Sequence, residues 1–229
     1  MELLVLASSH KYEGVCVAGV WPDESRWVRP VSNQEKGQIP EHKCLTSRGK
    51  DPEPLDRVRV FLESRSAEPH QPENWTVADR TWEMVEKGWT DTAVDCLGNV
   101  LQNGPELFGS THRSVSSQRA REEVDSSLAL VMPSEIVFVD GERNSPRVGF
   151  TLDGADYELP VTDRRWSSRI NNHELDHLPP SAVVGEETEL LFTISLAMEK
   201  NGSHHKLVAG VIELSPGQFR RVRESQSDR

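Results

Sequence analysis

The chain has 229 residues, 35% of them hydrophobic, and its 26 basic and 37 acidic side chains leave a net charge of −11. That length holds one large domain or two of roughly 100 residues each, and the acidity excludes a protein that coats nucleic acid by general phosphate attraction, though not one with a local basic cleft. No run approaches the roughly 20 apolar residues of a membrane span, no basic segment precedes the short N-terminal apolar run, and Cys16, Cys44 and Cys96 are too scattered for a disulfide framework, so a soluble cytoplasmic protein is expected.

The first elements are short β-rich runs: "ELLVLASS" (2–9), "GVCVAGVW" (14–21) and "RWVRPVS" (26–32), broken by Gly, Pro and charged residues. This is the punctuation of a β-meander. After a polar excursion, "DRVRVFLESR" (56–65) alternates as one half-buried strand with Val58, Val60 and Leu62 inward. "EPHQPENW" (68–75) is a Pro-rich turn, and residues 76–97 carry the only sustained helical character. Asp79 caps a first helix ended by Gly88, and a second begins at Thr90 or Asp91. Residues 98–125 are irregular. From 126 the strand pattern resumes in six runs, "SLALVMP", "EIVFVDG", "RVGFTLDG", "DYELPVTD", "ELLFTISLAM" and "HKLVAGVIEL", and the chain ends in a charged tail expected to fray. The six closely spaced runs suit a small closed barrel. Two barrels, or a single sandwich, both satisfy the pattern.

Little in the chain points to catalysis. His173-Glu174-x-x-His177 has the spacing of a zinc peptidase motif, but that spacing holds a metal only on a helix. Asn171, Asn172 and Pro179-Pro180 oppose one, so a polar loop without metal is expected. There is no glycine-rich phosphate loop, no Gly-x-Ser-x-Gly elbow and no metal-nuclease spacing. The reading is a non-enzymatic protein with no cofactor, no metal and no catalytic residues.

At "VLASSHKYEGVCVAGV", "RWVRPVS", "PLDRVRV" and "HQPENW" the sequence resembles the dual OB-containing domain family, bacterial proteins with two oligonucleotide/oligosaccharide-binding barrels in tandem. "SSLALV", "LPVTD" and "FTISLAMEKNGSHHKLVAGVI" continue the resemblance in order. It departs at 197–200, where a Gly-Glu-Pro-aromatic run is expected, and at Arg164, where Pro is typical. The resemblance implies a mainly β fold of two small OB-like barrels with a helix and loop insert between them. Residues 1–125 then form the first barrel and its extension (66–125), 126–221 the second, and 222–229 the tail. It also implies recognition of nucleic acid or a modified nucleotide in a bacterial antiviral system, beside a separate effector protein. A protein-interaction scaffold is the alternative, and a nucleotide hydrolase comes third.

OB barrels stack bases on aromatics and follow phosphates with cations. Strand alternation puts Trp27 and Arg29 on one face, as a stacking and phosphate pair or as a core Trp beside a buried ion pair at the barrel seam. Glu73 and Asn74 either read a base edge or tie down their turn. Asp163 is a turn former or, with Arg164, a ligand contact. Lys206, flanked by apolar strand residues, is either paired internally or directed at a ligand. The candidate ligand residues are therefore Trp27, Arg29, Glu73, Asn74, Asp163, Arg164 and Lys206.

Overall fold

The computed structural model describes residues 1–229 other than 12, 35, 45, 47, 48, 50, 140, 142–144, 172–176, 228 and 229. Strand accounts for 48% and helix for 21%, which makes the protein mainly β.

The expected meander forms as β1 (Glu2–Lys11), β2 (Gly14–Trp21) and β3 (Arg26–Val31), paired antiparallel in order. The stretch read as one strand is two, β4 (Arg57–Arg59) on β1 and β5 (Leu62–Arg65) on β6 (Asn74–Val77). The break has a backbone cause. Val60 exchanges N–H···O bonds of 2.9 Å with Met1, while the carbonyl of Phe61 accepts from Ala78 N at 2.7 Å, so pairing passes from one neighbour to the other within two residues. β6 runs parallel to β3, and in a seven-stranded sheet the order runs β5-β6-β3-β2-β1-β4, with one further strand beyond β4. β5 and β4, far apart in that order, are joined by Val60 and Phe61 alone, which requires the sheet to curl closed. Asn74, placed in a turn by the sequence reading, starts β6.

The helix expected from Asp79 to Gly88 is instead extended. β7 (Glu83–Glu86) pairs with β4, where Arg57 and Arg59 meet Glu86 and Glu83 at 3.1 and 2.8 Å. Cross-strand charge pairing outweighs the helical propensity of "WEMVE". Beyond a short helix, α1 (Glu41–Cys44), the second expected helix is present as α2 (Asp91–Val100), capped by the Thr90 hydroxyl on Ala93 N.

The second barrel repeats the first. Past β8 (Leu101–Gln102), β9 (Ser114–Ser116) and α3 (Ser117–Glu122), β10 (Leu128–Val131) and β11 (Ser134–Val139) follow one another with a break at Met132-Pro133. β12 (Arg147–Leu152) and β13 (Ala155–Pro160) follow β11, then β15 (Glu189–Lys200) and β16 (Ser203–Leu214) return to β10. Val161 closes the circle by a parallel bridge to Val208. In each barrel the third strand lies parallel to the fifth and the fourth returns to the first, which is the Greek-key closure of an OB barrel.

The two barrels share a core. Leu3 and Val5 of β1 point into the first barrel and Val208 and Val211 of β16 into the second. Leu4, Leu6 and Ala7 meet Ala209, Ile212 and Leu214 between the barrels, together with Trp27, Leu97 and Val222. Burial on both faces is why these strands read as unbroken apolar runs. The chain end contributes too. Residues 216–227 form α6 (Pro216–Ser227), with Val222 fully buried, in place of a frayed tail. Arg221 pairs with Asp91 of α2 at 2.6 Å, and Gln226 donates to the carbonyl of Leu101 at 3.2 Å. Among the described residues no helix is long and apolar enough to cross a membrane.

The seam is tight at one point. A Cβ on Gly210 would stand 2.3 Å from the carbonyl oxygen of Leu6. Gly210→Ala is therefore expected to destabilise the protein by about 1–3 kcal/mol, read from its urea midpoint. An unchanged midpoint would show that the strands do not need this approach.

Candidate functional site

A cleft of about 440 Å³ opens between the barrels. The first barrel lends Ser9 and His10 from β1, Cys16 from β2, Arg29 from β3 and Gln71 from the connection before β6; the second lends Thr162, Leu207 and residues 195–200. One end is closed by backbone, with His10 N donating to Thr162 O at 3.1 Å and Ser9 bridging Asp163. In the first barrel this is the face of strands two and three between the one–two and four–five connections, where OB barrels receive ligands.

Arg29 sits at the junction, 2% exposed. Its Nη2 approaches Glu73 Oε1 at 3.2 Å and donates to Ser127 Oγ at 2.8 Å and Ser195 Oγ at 3.1 Å. Ser127 in turn gives its N–H to Glu73 Oε2 at 3.2 Å and its hydroxyl to Oε1. The Arg–Glu pair thus belongs to the first barrel and the serines to the second. Four buried polar groups satisfy one another across the seam, while Arg29 Nε is buried with no partner among the described residues. Two of the sequence candidates, Arg29 and Glu73, are brought together here. Ser127 and Ser195 complete the group and carry no signal of their own in the sequence.

The other candidates are dispersed. Trp27 is 8% exposed and packs in the shared core. Asn74 is buried, donating from Nδ2 to Gln71 Oε1 at 3.1 Å, with no partner for Oδ1 among the described residues. Asp163 opens α4 (Arg164–Asn171). Its Oδ1 accepts from the N–H groups of Arg165 and Trp166, and its Oδ2 accepts from Val211 N at 3.0 Å. Burial pushes its carboxyl upward against those bonds. Arg164 is paired with Asp51 and Glu41 at 2.8 and 3.0 Å. Lys206 is buried, with Nζ on the carbonyl of Ser110 at 2.6 Å and 5.3 Å from the Tyr157 ring centre. Desolvation brings its ammonium down to about 8. Trp27, Arg29, Arg164 and Lys206 do not converge on one cleft.

A pair missed in the sequence borders the site. His70 and His204 stack across the barrels with centroids 4.6 Å apart. His204 Nδ1 hydrogen-bonds the Ala197 carbonyl at 2.9 Å in the cleft wall, and its Nε2 is buried with no partner among the described residues. As for zinc, His173 and Glu174 lie outside the described residues, and His177 is exposed at the start of β14 (His177–Leu178). Among the described residues no cluster of His, Cys, Asp and Glu is arranged to hold a metal ion.

Two outcomes follow. Arg29→Met and Glu73→Gln each break a buried pair and are expected to cost about 3–5 kcal/mol. The double variant should cost less than the sum, measured by a chemical-denaturation cycle; additive losses would mean the groups are not coupled. His70 is held below its ordinary 6.5 by burial first, then by His204 and Arg29, with Glu68 and Glu73 opposing. The fold thus favours its neutral form. Its contribution is complete above pH 6.5 and is lost as pH falls from there toward the folded value. The melting temperature of His70→Phe should decline less than that of the parent across this window; parallel curves would remove His70 from the pH response.

A family model described as a dual OB-containing domain matches residues 1–211. No curated protein matches the chain. Among solved structures, a murine DNA-binding protein bound with double-stranded DNA aligns over 93% of this chain and 96% of its own, at 7% identity and a TM-score of 0.34. The tetrameric p202 HIN2 aligns over 94% and 92%, at 8% identity and a TM-score of 0.31. Likenesses this distant say nothing of what this chain binds.

Proposed function

The chain belongs to the dual OB-containing domain family, and from that premise we propose that it is a non-enzymatic recognition module whose inter-barrel cleft takes single-stranded nucleic acid or a modified nucleotide. The observation that carries this reading is the position of the cleft, on the ligand-receiving face of the first barrel and roofed by β15 of the second. Its chemistry fits. Arg29 lines it, and His10 and Lys200 bring further donors to the rim. Polar groups at Ser9, Thr162 and Gln71 suit base or sugar hydroxyls. Against a net charge of −11, attraction must come from these focused contacts rather than from a long-range field. The setting belongs to the same proposal: a bacterial antiviral system in which a separate effector acts on what the module detects.

The test is fluorescence anisotropy with labelled single strands of about ten nucleotides at ~50 and ~200 mM salt. With two or three phosphates engaged, affinity should fall about tenfold between the two conditions. The double variant His10→Glu, Lys200→Glu should weaken binding by a similar factor at the lower salt. No binding at either salt would leave the protein-interaction scaffold as the better reading.

A further inference from the structure

Glu73, whose carboxylate holds Arg29 beside the cleft, also lines a second pocket of about 300 Å³ on the first barrel. The ion pair therefore stands between the two hollows. Two tryptophans, Trp27 and Trp75, and two arginines, Arg26 and Arg65, line the pocket, with Asp125 at its edge.

The fold explains the convergence. β5, β6 and β3 are neighbours in the sheet, Arg65 lies directly opposite Trp75, and Arg26 and Trp27 open β3 beside them. Trp75 is half-buried and held edge-on against Trp21, centroids 5.5 Å apart and planes at 60°. Arg26 lies over the other partner of that pair, 4.4 Å from the Trp21 ring centre, and meets Glu24 at 2.9 Å. Arg65 is exposed, and its Nη2 donates to the Pro72 carbonyl at 3.2 Å. Each element is thus held by a first contact that leaves donors available: a guanidinium has five N–H groups. Indole walls beside guanidinium forks match a flat π system joined to an anion. An aliphatic ligand would leave the remaining guanidinium N–H groups without acceptors, and a simple carboxylate would leave the indoles bare.

We propose that this pocket is a second binding site and that it takes one nucleotide. The base lies against Trp75, the phosphate meets Arg26 and Arg65, and the Asp125 carboxylate is at hand for an exocyclic amino group. The chemistry is shared by a free nucleotide and by the phosphorylated end of a strand.

Calorimetric titration with each of the four ribonucleoside 5′-monophosphates tests it. At least one should bind, and its free nucleoside and inorganic phosphate should each bind about tenfold more weakly or not at all. Arg65→Glu, a change at an exposed position, should reduce that binding at least about tenfold, whereas Lys200→Glu in the cleft should leave it unaltered. Trp75→Leu should act like Arg65→Glu; if that variant does not fold, the Arg65 result stands alone. Competition by a 5′-phosphorylated oligonucleotide would assign the pocket to a strand end, and lack of competition to a free nucleotide. Binding by none of the four, binding indifferent to Arg65→Glu, or binding abolished by Lys200→Glu would overturn the proposal. The last result would return the nucleotide to the cleft, while loss of oligonucleotide binding in the cleft variants alone would leave this pocket untouched.

Discussion

Two strands laid back to back govern this molecule. β1 and β16 each close one barrel with one face and contribute the other to a common core, and they approach so nearly that Gly210 has no room for a Cβ beside the Leu6 carbonyl. Thr193 strengthens the same contact by donating its hydroxyl to Leu6 O at 2.7 Å. A linker between domains permits rotation; a shared core does not. The cleft is consequently a fixed hollow whose two walls keep one spacing.

Apolar packing alone leaves the register of two such surfaces loosely specified. The Arg29–Glu73 pair with Ser127 and Ser195 supplies what is missing, since a fully buried charge pair is tolerated only when its partners stand in place. We read the group as a device of orientation rather than of net stability, because desolvating two ions offsets most of their attraction. Arg29 also lines the cleft. A single side chain thereby connects the assembly of the barrels to the site between them.

Much of this was legible in the sequence where local signals suffice. The three N-terminal strands and the six later ones are bounded by Gly, Pro, Asn and Asp and formed as read, whereas the strand read over 56–65 is split at Val60-Phe61. Where partners distant in sequence decide, the reading failed. "WEMVE" accommodates a helix or a strand, and the arginines of β4 choose the strand. "FRRVRE" looks like a charged tail because only Phe219 and Val222 face the core, and α2 with the shared core makes that narrow stripe enough. The site was half visible. Arg29 stood out as a cation within an apolar strand, but its partners Ser127 and Ser195 lie 98 and 166 residues away and are unremarkable serines. The pocket of Trp75 and Arg65 was missed for a related reason: it depends on β5 returning beside β6, a pairing set by the closure of the barrel.

The central claim is that ligand sits between the barrels, against both. Hydrogen exchange read by mass spectrometry, with and without a single strand of about ten nucleotides, tests it most directly. The account predicts that bound strand slows exchange in two segments at once, residues 9–16 of the first barrel and 195–200 of the second. Slowing confined to one barrel, or found only over α6 and the outer surface while both segments exchange as before, would contradict it.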